Sequence, residues 1–136
     1  MPIKVTFGKQ IKINGRITSP HKDGNNGRSV YTDGKYIIKI DDKGYHHDES
    51  LILSDIEKDD LKYFVPILAE GTTKDGDRWI VQRFLKLDYD RTEKAWEIVS
   101  HLVNKYNLFD MDEEWNWAMY KGQPIIFDYG NLGAKT

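Results

Sequence analysis

A lysine inside an apolar run, Tyr36-Ile37-Ile38-Lys39-Ile40, is the first place where this sequence could do chemistry. Strand alternation puts Ile37 and Lys39 on one face and Ile38 and Ile40 on the other, so the ammonium group lies among apolar neighbours. An edge strand, or a long stem lying along apolar surface, explains such a lysine without a ligand. The second place is the stretch from Asn116 to Asp128-Tyr129-Gly130, where an amide and a carboxylate flank a strand pair turning at Lys121-Gly122. Taken alone, Asp-Tyr-Gly reads as a strand-ending turn. Other candidates are weaker. The acidic run Asp110, Asp112, Glu113 and Glu114 lacks the central glycine and ligand spacing of an EF-hand loop. His46 and His47 are adjacent, and neighbours on a helix point apart, so they make a poor zinc pair. No Gly-x-Ser-x-Gly nucleophile elbow is present.

Positioning these residues takes a small mixed domain. A chain of 136 residues with 39% hydrophobic content can bury one core. Twenty basic against 22 acidic residues give a net charge of -2. No global field then favours nucleic acid or an anionic membrane, so neither is expected as a partner, although local patches are compatible with this balance. There is no cysteine, no apolar signal core after Met-Pro-Ile-Lys and no run of membrane-spanning length, so a cytoplasmic location is expected. Ile3 to Phe7 alternates like a half-buried strand, and Ile11, Ile13 and Ile17 continue the pattern. Ser19 to Ser29 is polar and turn-rich and reads as a loop. Hairpins are expected at Asp33-Gly34, Asp75-Gly76 and, more weakly, Lys121-Gly122. Leu51, Ile52, Leu53 and Ile56 make a helical stripe within 46–58. Asp90, with Glu93 three residues later, can cap a second helix carrying Ala95, Trp96, Val99, Leu102, Val103 and Tyr106, with Asn107 as its end. This order predicts an α+β domain, with a helix packed on antiparallel strands and hairpins.

The order of these landmarks resembles the protein-kinase-like superfamily over roughly residues 24 to 133: Val30, Lys39, Glu49, Trp79 to Leu85, Asn116 and Asp128-Tyr129-Gly130 follow in that family's sequence. The resemblance implies a sheet-rich part over about 1–85 and a much reduced C-terminal lobe over 86–136, within a single domain. It makes Lys39 the phosphate-binding lysine and Glu49 its helix partner, with Glu57 as a second choice. It makes Val81 the gatekeeper and Gln82, Arg83 and Phe84 the hinge that holds adenine. Asn116 and Asp128 become magnesium ligands, a role for which one amide and one carboxylate oxygen suffice because magnesium leaves other positions to water and phosphate. Gly24 and Gly27, followed by Val30, stand where the glycine-rich phosphate cover belongs; the full three-glycine pattern is missing, so a plain connector is the alternative.

Two departures bear on activity. Five positions before Asn116, where the catalytic aspartate belongs, stands Met111, with Asp110 and Asp112 on either side; a one-residue insertion could let Asp110 act as the base. Leu108-Phe109 replaces the usual His-Arg. Only six residues follow Asp-Tyr-Gly, so the activation segment and acceptor platform of the family are not expected. The resemblance therefore implies a kinase-like protein that binds ATP and magnesium without ordinary protein-kinase turnover. An active minimal phosphotransferase is one alternative, and a nucleotide-independent module for a protein partner is the other. Short chains of this type are similar to bacteriophage proteins, which would place the chain in a host cytoplasm.

Overall fold

Turns with a glycine at positive φ close the hairpins of this fold. The computed structural model describes residues 2–21, 28–41, 49–108 and 117–127. Its architecture is mixed α+β with antiparallel sheets. Contacts divide the chain into two units, Met1–Tyr45 with Ile67–Phe84 and His46–Pro66 with Leu85–Thr136.

The first unit holds two sheets. In the smaller, β1 (Val5–Thr6), β2 (Lys12–Ile13) and β3 (Arg16–Ile17) pair in that order, antiparallel. Asn14 (φ 51°) and Gly15 (φ 81°) turn the chain between the paired Ile13 and Arg16, the backbone that an Asn-Gly hairpin demands. The larger sheet comprises β4 (Ser19–Pro20), β5 (Arg28–Thr32), β6 (Tyr36–Asp41), β7 (Ile67–Thr72) and β8 (Arg78–Arg83), in the order β4-β5-β6-β8-β7. At the β5–β6 turn the Asp33 carboxylate accepts from the amides of Lys35 (2.9 Å) and Tyr36 (2.7 Å), and Gly34 takes φ 92°. Ile13, Ile38, Ile40 and Val81 form the core, with Val5, Ile11, Tyr31 and Ala69 packed against it. Trp79 pairs across the strands with Gly71, and its indole occupies the space a side chain there would need: a Cβ on Gly71 would lie 2.6 Å from the ring.

The second unit has its own core. Its elements are α1 (Glu49–Ser54), a 3₁₀ helix (Lys58–Tyr63), α2 (Glu93–Tyr106) and the hairpin of β9 (Trp117–Tyr120) with β10 (Gln123–Ile126). Lys121 (φ 50°) and Gly122 (φ 82°) close this hairpin between the paired Tyr120 and Gln123. Ala95, Val99 and Leu102 from α2 pack with Ile56, Phe64, Leu108, Trp117, Met119 and Ile126. Arg91 holds the strand end: its guanidinium donates twice to the Trp117 carbonyl (2.7 and 3.2 Å) and lies over the rings of Tyr89 and Trp117. The last turn of α2 is tied to the 3₁₀ helix by a polar knot. Lys105 reaches Glu57 (2.7 Å) and Asp60 (2.8 Å), while the Tyr106 hydroxyl donates to Asp60 and accepts from the Glu57 amide (3.1 Å).

Several expectations are corrected. The cap of α2 is Thr92, whose hydroxyl accepts from the Ala95 amide (3.1 Å); the Asp90 amide instead donates to Asp88 in a local turn. Asn107 does end the helix, in the left-handed conformation (φ 54°). Trp96 is not a core residue: it is 38% exposed and meets Trp117 edge-on, ring centres 4.9 Å apart. Within the stripe 51–56 only Ile56 is buried; Ile52 and Leu53 pack partly on the same core, and Leu51, on the other side of the helix, is exposed. Ser19–Pro20 and Arg28–Ser29, read as loop, lie in β4 and β5, since strand pairing overrides weak local preference.

Replacing Gly71 by Ala should destabilise the protein by about 1–3 kcal/mol in chemical denaturation, because the Trp79 indole must move. The polar knot predicts a pH dependence. Hydrogen bonds from Lys105 and then Tyr106 hold the Asp60 pKa below its ordinary value. A depressed carboxylate contributes stability above the unfolded pKa and loses it as pH falls through the folded one. The unfolding midpoint of Lys105→Met should therefore lie a few degrees below wild type at neutral pH, and the gap should close in acid once Asp60 protonates.

Candidate functional site

Lys39 lies in β6, and β6 lies between β5 and β8, so the edge-strand explanation for this lysine does not hold. Alternation sends Ile38 and Ile40 into the core of the first unit and Lys39 to the opposite face. There Lys39 stands opposite Val30 on one side and Ile80 on the other, and only 7% of it is exposed. Burial on this scale is rare for lysine, because an ammonium group leaves water only where it gains partners.

The same face carries a second polar feature. Arg28 and Asp41 are cross-strand neighbours at the ends of β5 and β6, and the arginine Nε donates to the carboxylate at 2.7 Å with both side chains buried. Buried, nearly fully desolvated pairs of this kind are held by geometry rather than by net stabilisation. Lys39 lies two residues before Asp41, so lysine, aspartate and arginine share one face of the β5–β6 hairpin. Gln82, buried and opposite Ile37, adds a fourth polar side chain to that face.

The residues expected to form the hinge lie at the end of β8 and just beyond it. Val81 is in the core with Ile38 and Ile40, so Ile80 and Gln82, not Val81, share the Lys39 face. Gln82 and Arg83 belong to β8, and the Phe84 amide donates to the Lys35 carbonyl (2.9 Å). That leaves the Phe84 amide engaged, while its ring meets His21 edge-on with centres 5.4 Å apart. In the second unit Glu49 opens α1, where a carboxylate suits the helix N-terminus, and it is 0% exposed. Neither Lys39 nor Glu49 is without an interaction. Glu57, the second choice as partner of the lysine, is committed to Lys105. Gly24, Gly27, Asp110, Asn116 and Asp128 lie outside the described residues.

The Arg28–Asp41 pair was not isolated by sequence reasoning. Its only signal was position: the two residues are equally far from the Asp33-Gly34 turn once the hairpin register Thr32 to Ile37 is fixed. Among the described residues no group of three or more histidine, aspartate or glutamate side chains is arranged to hold a metal.

Breaking the buried pair should be costly in either direction. Arg28→Ala or Asp41→Ala should lower stability by about 3–5 kcal/mol in urea, each taking the 2.7 Å partner away from a buried charge. The double change Arg28→Met with Asp41→Leu should cost less than Arg28→Met or Asp41→Leu alone, the comparison that a double-mutant cycle makes. Compared with protein-family models, with curated proteins and with solved structures, the chain finds no match in any of the three.

Proposed function

We propose that this chain is a kinase-like domain that binds a magnesium nucleotide, with Lys39 as its phosphate contact, and that it does so without ordinary protein-kinase turnover. The observation that carries this reading is the buried lysine on a central strand, set between Val30 and Ile80 and beside Arg28, Asp41 and Gln82. A strand interior is an expensive place for an ammonium group. An apolar wall that also holds a fixed cation is what a nucleotide needs, since the base takes apolar contact and the phosphates take charge.

The donor chemistry fits the metal as well. Asn116 and Asp128 offer one amide and one carboxylate oxygen, a hard set that suits magnesium and leaves coordination positions to phosphate and water. Bound ATP would supply the transferable phosphoryl group. The chain's own contribution is to bind and orient the phosphates through Lys39. Turnover needs a carboxylate within hydrogen-bond reach of the acceptor hydroxyl. Met111 stands at the position the family gives to that group, and Asp110 would take it over only through a shift of one residue.

The test is the thermal unfolding midpoint with ATP, with and without magnesium. At about 100 times its Kd the nucleotide should add about 2.7 kcal/mol of stability. Lys39→Met, which keeps the stem and removes the charge, should lose most of the shift. Asp128→Ala should lose its magnesium dependence. Unchanged affinity in Lys39→Met would remove the lysine from the site. No shift at saturating ATP, with the protein folded, would leave a binding module for a macromolecule; phosphate transfer abolished by Asp128→Ala would make the chain a minimal phosphotransferase.

A further inference from the structure

The net charge of the chain conceals an uneven distribution. Every charged residue before Asp23 is basic, namely Lys4, Lys9, Lys12, Arg16 and Lys22, so the rest of the chain carries all of its net negative charge. In the three-stranded sheet of the first unit Lys12 and Arg16 lie in strands, and Lys4 and Lys9 lie in the segments next to them. The inward row of this sheet, Val5 and Ile13, packs on the core. Its outward row is Thr6, Lys12 and Ile17, three exposed residues in cross-strand register, with Ile17 56% exposed.

At the β1–β2 turn this row leads into an open groove lined by Thr6, Phe7, Gly8, Lys9, Gln10 and Lys12. Phe7 is 42% exposed, and its ring is backed by Trp79, centres 5.9 Å apart. Trp79 in turn lies over Gly71, so the phenyl ring rests on a supported layer of side chains. Arg16 is drawn to Asp33, 3.6 Å away. Lys4, Lys9 and Lys12 have no carboxylate within ion-pairing distance among the described residues.

We infer that this groove binds single-stranded nucleic acid, with Phe7 as the stacking platform for a base and Lys9 and Lys12 as phosphate contacts. An exposed, backed aromatic ring on one surface with lysines that have no carboxylate partner among the described residues is the combination that such proteins use, because every base has a face to stack and every linkage has a charge to neutralise. Strands of two residues offer no helix or long ribbon to enter a duplex groove, which favours a single strand. Lysine acts as a point charge and suits phosphate without the fork that carboxylate pairing rewards. The expectation of no nucleic-acid partner rested on net charge alone, and the charge here is local. This inference is independent of the nucleotide reading, which uses the opposite face of the larger sheet.

The experiment is fluorescence anisotropy of a labelled oligothymidine, on the order of 20 nucleotides long, titrated with the full chain in about 50 mM salt. Saturable binding is expected, and the slope of log K against log salt should flatten by about 1.4 in Lys9→Gln with Lys12→Gln. Phe7→Leu keeps an apolar contact for Trp79 but removes the stacking face, and should weaken binding about tenfold with an unchanged unfolding midpoint. Three results would overturn the inference: no binding in low salt, wild-type affinity in Phe7→Leu, or displacement of the oligonucleotide by polyglutamate as readily as by unlabelled oligothymidine. The last would assign the surface to an acidic polypeptide.

Discussion

The two-residue period of β6 is the constraint on which the first unit depends. Because β6 is flanked on both sides, its side chains have only two directions available, and the sequence uses them for opposite purposes. Ile38 and Ile40 close the core, whereas Lys39 and Asp41 face the other way. A register slip of one residue would drive an ammonium and a carboxylate into the core and expose two isoleucines. The Asp33 turn prevents this by fixing Thr32 against Ile37, so a local hydrogen-bonded turn sets the position of the buried charges at the far end of the hairpin. The Arg28–Asp41 contact then marks correct pairing at that end.

The second unit reaches the same kind of definition by other means. Its core is mostly aliphatic with Trp117 and Phe64 as the large members, and its polar contacts sit at the margins. Arg91 clasps the first carbonyl of β9, and the knot of Glu57, Asp60, Lys105 and Tyr106 joins segments far apart in sequence. These contacts fix where elements begin and end, a task for which apolar packing is too permissive. Function in such a molecule resides in side chains placed by these rules, not in the fold class.

Much of the fold was legible because the relevant signals are local. Asp33-Gly34, Asp75-Gly76 and Lys121-Gly122 all turn strands, as read, and the apolar spacing of α2 with Asn107 at its end was sufficient to find that helix. Asn14-Gly15 carried an equally direct signal that the isoleucine alternation obscured. What was not legible depends on neighbours. Whether Lys39 was an edge lysine or a buried one turned on strand order, which no alternation pattern contains. The face of Val81 followed from its pairing with Ile38, and the engagement of Glu57 from the distant Lys105. The exposure of Trp96 was hidden for the same reason: helical spacing identifies a stripe but not its margins.

The two units are interleaved along the chain, since the stretch His46–Pro66 divides the sequence of the first. The ladder between β6 and β8 therefore joins strands from either side of that excursion, with five residue pairs in register from Tyr36–Arg83 to Ile40–Trp79. Closing such a long loop costs entropy that only slowly grows with length, but it must be paid before the central ladder can form. Folding of the first unit thus waits on an encounter between distant segments. It also means that a chain cut within the excursion would keep three strands of the larger sheet on one fragment and two on the other, and that β6 and β8 present to one another the edges by which the two fragments would find each other again.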